Sequence, residues 1–324
     1  MLDILNHYVQ NLQGNKVSVN GYDGYKNGDD FYFIISKQND EEVHFEQKAI
    51  SDFCIQQGIE NIAVPLFNYR GTLTTEVDQK EYLVLAAKDR KYVKQSSHAK
   101  DLASFHNIGS EYPYTPNYLS SYGQWKELWE NKISMIEDIY NQQYVERPVS
   151  PFHRLFIDTF PYIIGLSENA LQYLQETETD QRFHDGDKPS ITFRRYSNQL
   201  QRSIIWSTDF SYDHPVRDLA EYIRPLLLQD NYQSLTRMSS FFTEYEQERP
   251  LSIFGWRLLY ARLLFPIHLF DHLEAGFRSN NLEIFYKEYK ELLQKQTNYE
   301  TNLKSFYKNL EFDTESLNIP VIDW

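Results

Sequence analysis

Apolar residues alternate with polar ones over short stretches near the start of the chain, then recur at every third or fourth position over most of the remainder. Between residue 16 and about residue 87, Val17-Ser-Val-Asn, Phe31-Tyr-Phe-Ile-Ile and Glu81-Tyr-Leu-Val-Leu-Ala read as strands separated by turns, with one helix from Glu41 to Gln57. From Ser96 onward the helical period dominates. Leu102, Phe105 and His106, then Trp125, Leu128, Trp129, Ile133, Ile136 and Ile139, place an apolar stripe on each helix. The pattern predicts an α+β chain of two lobes: a small antiparallel sheet over residues 1–88 and a larger, mainly helical lobe over residues 89–324, with the break near Ala86 to Lys94.

One strand in the helical half carries the candidate chemistry. Ile204-Ile205-Trp206 is apolar and β-branched, and Thr208-Asp209-Phe210 follows at once, so a buried strand delivers Asp209 to a loop mouth. Asn198 stands just before it. An Asn and an Asp separated by one short hairpin can offer hard oxygen ligands to the same Mg²⁺. Kinases hold their metal with this pair and place an Asp a few residues before the Asn to accept the substrate's proton. Here that stretch reads Thr192-Phe193-Arg194-Arg195-Tyr196-Ser197 and contains no carboxylate, so no catalytic residue is assigned. His184-Asp185-Gly186-Asp187 imitates the start of a catalytic loop, but the apolar run Ile191-Thr192-Phe193 comes after it. Asp185 and Asp187 therefore fall on the wrong side of the strand, and residues 177–188 read as a solvated, charged loop.

The sequence Asp209-Phe-Ser-Tyr-Asp213-His-Pro-Val-Arg-Asp218-Leu-Ala-Glu-Tyr resembles the end of the metal loop in aminoglycoside and choline kinase relatives, and Leu102-Ala-Ser-Phe-His106 is similar to a helix of the same superfamily. Tyr122-Gly-Gln-Trp125 to Trp129, and the block from Gly255-Trp256-Arg257 to Phe265-Pro266, resemble spore coat-associated proteins of the YutH and CotS type, the YutH branch being the nearer. The resemblance implies a two-lobed protein-kinase-like fold of the aminoglycoside phosphotransferase kind and makes Asp218 an architectural residue. It further implies manufacture in the mother-cell cytoplasm, a place in the spore coat, and other coat proteins as partners.

In the sheet lobe the kinase parts are harder to find. Gly21-Tyr-Asp-Gly24-Tyr-Lys-Asn-Gly28 puts three glycines between two strands without the phosphate-loop spacing, and reads as an ordinary hairpin. A strand lysine belongs within Phe31 to Ile35, where Ile34 and Ile35 stand instead. Lys37 is the nearby substitute, with Glu42 or Glu46 of the following helix as its candidate partner. Arg194 and Arg195 are expected to pair with Asp209 or Asp213 and to fill the metal site with positive charge.

Composition narrows the partners. A net charge of −14, without a Lys/Arg run, disfavours nucleic acid and anionic membrane surfaces. The single cysteine, Cys54, excludes an internal disulfide and reads as a buried small hydrophobe. The start of the chain lacks the basic and apolar regions of a signal peptide. Leu251 to Phe270 is apolar but interrupted by Arg257, Arg262 and His268, and reads as a buried helix bent or ended at Pro266. His106 and His268 read as core residues. These readings together predict a non-catalytic binding and assembly protein that needs no cofactor. The alternatives are an active kinase using Mg-ATP on Asn198 and Asp209, and a scaffold that binds nucleotide without turning it over.

Overall fold

The structure is a computed structural model that describes residues 2–10, 12, 14–89, 97–147, 150–229 and 231–322. Backbone contacts divide the chain into two compact units, Met1–Ser121 with Pro189–Pro215, and Tyr122–Lys188 with Val216–Trp324. The sheet-bearing unit thus includes residues 189–215, which lie beyond the break read near Ala86 to Lys94; of that break, residues 90–94 lie outside the described residues.

The first unit contains α1 (Leu2–Leu5), β1 (Asn15–Val19), β2 (Tyr22–Asn27), β3 (Asp30–Ser36), α2 (Glu41–Gln56), β4 (Ile62–Pro65), β5 (Thr74–Val77), β6 (Lys80–Lys88) and α3 (His98–Ser110), then β7 (Ser190–Phe193), β8 (Ile205–Trp206) and β9 (Phe210–Asp213). The sheet runs β1-β2-β3-β6-β4-β8, with β5 also on β6. All of its pairings are antiparallel except β4 with β8. Alternation along β3 builds two cores: Phe31, Phe33 and Ile35 join one around Trp206, while Tyr32 and Ile34 join another around Tyr8 and Val84.

The glycine-rich stretch proves to be a strand between two turns, which corrects its reading as one hairpin loop. Val19 pairs with Tyr22 across a two-residue turn in which Asn20 and Gly21 have φ of 51° and 83°, the hairpin form that matches strand twist. Gly24 sits inside β2 because a Cβ there would lie 2.3 Å from the Tyr32 carbonyl oxygen. Glycine in a strand interior was the misleading signal.

The second unit is helical: α4 (Trp125–Glu146), α5 (Pro151–Glu178), α6 (Val216–Leu227), α7 (Tyr232–Glu248), α8 (Ile253–Leu264), α9 (Ile267–Phe277), α10 (Leu282–Lys304) and α11 (Phe306–Asn309). An 18-residue apolar window within 253–277 is 83% buried inside the protein, and Phe265-Pro266 separates the stretch into α8 and α9. Its arginines find carboxylates. Arg257 reaches Asp180 at 2.8 Å, and Arg262 reaches Glu221 at 3.2 Å while stacking 4.6 Å over Trp125. Asp180 is therefore no solvated loop residue: hydrogen bonds from Arg182 and Arg257 hold its carboxyl well below the usual range.

Arg224 is buried and donates to the carbonyl oxygens of Arg262, Leu263 and Phe265, where α8 leaves acceptors unsatisfied. His268 stands beside it. Burial, and then the charge of Arg224, lower the His268 pKa to about 3, and its Nε2 lies 2.8 Å from the Gln296 side-chain oxygen. A histidine with a depressed folded pKa binds fewer protons than the unfolded chain between its two pKa values, so its contribution to stability falls as pH drops from about 6.5 towards 3. Comparing urea unfolding of wild type and His268→Gln across that window should show the variant losing less stability; identical slopes would contradict this.

Candidate functional site

Asn198, Asp209, Arg194 and Arg195 lie on the segments that join β7, β8 and β9, all within the first unit. β7 and β9 pair antiparallel with Phe193 opposite Phe210, and the next backbone bond runs from Arg194 N–H to the Asp209 carbonyl oxygen at 2.8 Å. One short ladder therefore fixes both the start of the loop and Asp209. Asn198, at the loop's turn, has φ 64° and ψ 33°, a left-handed conformation that asparagine tolerates better than most residues, and its side chain is exposed.

Asp209 is half-buried, and burial pushes its carboxyl above the ordinary range. Arg202 opposes that shift most strongly, followed by a hydrogen bond from Gln199 and the charge of Arg194. Arg194 was expected here, whereas Gln199 and Arg202 were missed. Asp213 is fully buried and accepts from Ser121 Oγ and its neighbour's His214 N–H, both at 2.7 Å. Arg195 is exposed.

The kinase catalytic loop places its base five residues before the metal-binding Asn. That position is Phe193. It is fully buried, with ring centroids 5.1 Å from Phe105, 5.3 Å from Tyr196 and 5.6 Å from Phe210. Three aromatic rings pack against it.

Lys37 and Glu46 are not brought together. The β3–β6 register sets Lys37 beside Glu81, whose carboxylate lies 2.9 Å from the ammonium. Glu46 accepts the backbone N–H groups of Asn117, Tyr118 and Leu119 at 2.6, 2.9 and 2.9 Å. The helix face that packs on β4 and on the 207–209 turn instead carries His44 and Gln47, both buried and joined at 2.8 Å. The spacing of His44, Gln47, Ser51 and Cys54 on α2 was the signal that could have found that face. Burial raises the Cys54 thiol pKa to about 12, which suits packing and not nucleophilic chemistry.

The inner face of the sheet is filled by side chains. Trp206 is 1% exposed, with ring centroids 4.2 Å from Tyr22 and 4.7 Å from Phe33. For Mg-ATP the donor set is therefore incomplete. Asn198 and Asp209 supply metal-type oxygens, while the lysine is paired elsewhere, the base position is a phenyl ring and the β1–β2 turn is two residues long.

The remaining candidates belong to the second unit. Asp218 lies in the first turn of α6, fully buried. Asp187 is buried too, accepting from His184 N–H at 2.7 Å and from Ser252 Oγ, the N-cap of α8, at 2.8 Å. It anchors a helix start, which corrects its reading as part of a solvated loop. Asp185 is exposed.

Comparison with known proteins gives a consistent picture. The family described as "Spore coat putative kinase YutH" matches residues 3–306. The endospore coat-associated protein YutH of Bacillus subtilis is 34% identical over 300 residues, covering 90% of this chain and 88% of that one. An aminoglycoside phosphotransferase from Alicyclobacillus acidocaldarius superposes with a TM-score of 0.60 at 13% identity, covering 96% of this chain and 97% of the other. A spectinomycin phosphotransferase in complex with ADP and spectinomycin gives 0.59 at 13% identity, covering 92% and 97%. The fold is that of the aminoglycoside phosphotransferase-like kinases.

Proposed function

The chain belongs to the YutH family of spore coat proteins with a kinase-like fold, and from that premise we propose that it serves the endospore coat as a binding and assembly component and not as a phosphotransferase. The observation that carries this reading is Phe193, a fully buried ring five residues before Asn198, the spacing at which kinases carry their catalytic base. General-base assistance is worth roughly 10²- to 10⁴-fold, so its loss alone would leave a slow enzyme. Phosphoryl transfer depends chiefly on positioning and charge neutralisation. The pairing of Lys37 with Glu81, the engagement of Glu46 with backbone amides and the filling of the sheet's inner face by Trp206 support the loss of those as well. Other coat proteins are the expected partners, met after synthesis in the mother-cell cytoplasm.

The rival reading, a Mg-ATP site on Asn198 and Asp209, draws on the survival of both oxygen-bearing side chains. Spores distinguish the two. A chain carrying Asp209→Ala, expressed in place of the wild type in a spore-forming bacillus, should reach the coat fraction in the same amount and support the same coat assembly. A folded Asp209→Ala protein that fails to do so would contradict the assembly reading.

A further inference from the structure

Three large aromatic side chains stand exposed where α2 meets the loop between β4 and β5. Phe45 of α2 is 43% exposed, and Phe67 and Tyr69 of the loop are 45% and 57% exposed. The Phe45 and Phe67 rings lie 6.0 Å apart, and Lys48 Nζ sits 5.5 Å over Phe67 while pairing with Asp52 at 3.1 Å. Apolar residues scattered singly over a surface are ordinary, whereas exposed aromatics in contact mark a binding surface. The loop is tied down on both sides. Buried Asn68 donates to Thr72 Oγ1 and to the Thr74 carbonyl at 2.7 and 2.9 Å, and accepts from the N–H groups of Arg70 and Thr72 at 2.9 and 3.1 Å. Tyr69 N–H donates to the His7 carbonyl at 2.9 Å, and Leu73 N–H to the Glu41 carboxylate of α2 at 3.0 Å. A surface ordered before contact loses less entropy when it binds.

Two exposed charges flank the aromatics. Glu42 stands one turn before Phe45 on α2, Arg70 follows Tyr69, and neither side chain has a hydrogen-bond or ion-pair partner among the described residues. We propose that this patch is a self-association surface that seats a second copy of the chain about a two-fold axis, aromatics against aromatics, with Arg70 of each copy meeting Glu42 of the other. In such an interface the same patch faces itself, so it must carry both members of every cross-pair. This one carries an unpaired cation and an unpaired anion beside an apolar centre. A partner surface of one sign would satisfy one of the two charges and set the other against its like. Aromatic residues and arginine are also the types enriched at interface centres. Repulsion between two chains of net charge −14 is screened beyond about 8 Å at physiological salt, which leaves the short-range contacts to decide. The inference goes beyond the assembly reading and does not depend on the state of the kinase-like site.

Sedimentation equilibrium of the full chain between about 1 and 100 μM tests it, and a reversible monomer–dimer equilibrium is expected. Arg70→Glu and Glu42→Arg should each weaken the dimer by about tenfold or more, because each sets like charges together. The double variant should recover wild-type association to within about threefold, the signature of a cross-pair. Phe67→Ala should cost about tenfold or more. Lys16→Glu, a charge change equal to that of Arg70→Glu but placed on β1, should stay within about twofold. Melting curves establish that each variant is folded, with Phe45→Ala standing in for Phe67→Ala if that one is not. A chain monomeric throughout would overturn the proposal and leave the patch to a different partner. A dimer that Phe67→Ala leaves intact, or a double variant no tighter than either single one, would overturn it as well. The two readings separate cleanly: a monomeric chain leaves the non-catalytic reading standing, whereas a metal-dependent response to nucleotide counts against that reading and not against the dimer.

Discussion

Phe193→Asp is expected to unfold the sheet-bearing unit and not to restore a base. The ring is fully buried on β7, opposite Phe210 and against Phe105 and Tyr196. Truncating a buried Phe costs about 3–5 kcal/mol. A carboxylate left in that space adds several kcal/mol more, either as a buried charge or as the free energy of holding it protonated. Domains of this kind are stable by roughly 5–15 kcal/mol in total, so the sum consumes most or all of it. Phe193→Leu, which keeps an apolar side chain, should cost about 1–3 kcal/mol and remain folded. Urea unfolding of the two variants against wild type checks the contrast. A Phe193→Asp protein close to wild-type stability would mean that the position is open to water.

Trp206→Ala should be nearly as damaging, at about 3–5 kcal/mol. The indole is 1% exposed and lies where β3, β6, β4 and β8 converge, with Phe33, Leu83, Leu85 and Ala63 in the same core. Its Nε1 is buried without a hydrogen-bond partner. Trp206→Phe therefore removes an unsatisfied donor together with part of the ring, and should cost clearly less, about 1–2 kcal/mol. If the void in Trp206→Ala keeps the shape of the lost side chain, indole added in excess should raise that variant's melting temperature and leave wild type unmoved. Equal stabilities of the Ala and Phe variants would remove Trp206 from its role as the filling of the sheet's inner face.

Much of the architecture was legible because it follows from period alone. β1, β3, β6 and α2 fall where alternation and helical spacing place them, and Pro266 separates α8 from α9 as its missing N–H requires. β2 was read as part of a loop because its glycine, needed for close approach to Tyr32, looks in sequence like a turn residue. The site divides in the same way. Asn198 and Asp209 were read as a pair across one short hairpin, but the segment between them carries β8, which pairs in parallel with β4 and forms no hairpin. The partner of Lys37 could not be found, because the β3–β6 register chooses Glu81 over any residue of the next helix. Glu46 misled for a related reason: it lies off the inward stripe of α2 and turns to the amides of residues 117–119. Gln199 and Arg202 became visible only once the loop had folded back on Asp209.

The central claim is that the kinase-like site no longer works as a nucleotide site, and thermal denaturation with Mg-ATP tests it most directly. A ligand that binds only the folded chain must raise the melting temperature, by an amount set by its concentration relative to its Kd. The account predicts no metal-dependent shift up to millimolar nucleotide, with wild type and Asp209→Ala giving superimposable series. A saturable shift that requires Mg²⁺ and disappears in Asp209→Ala would contradict it.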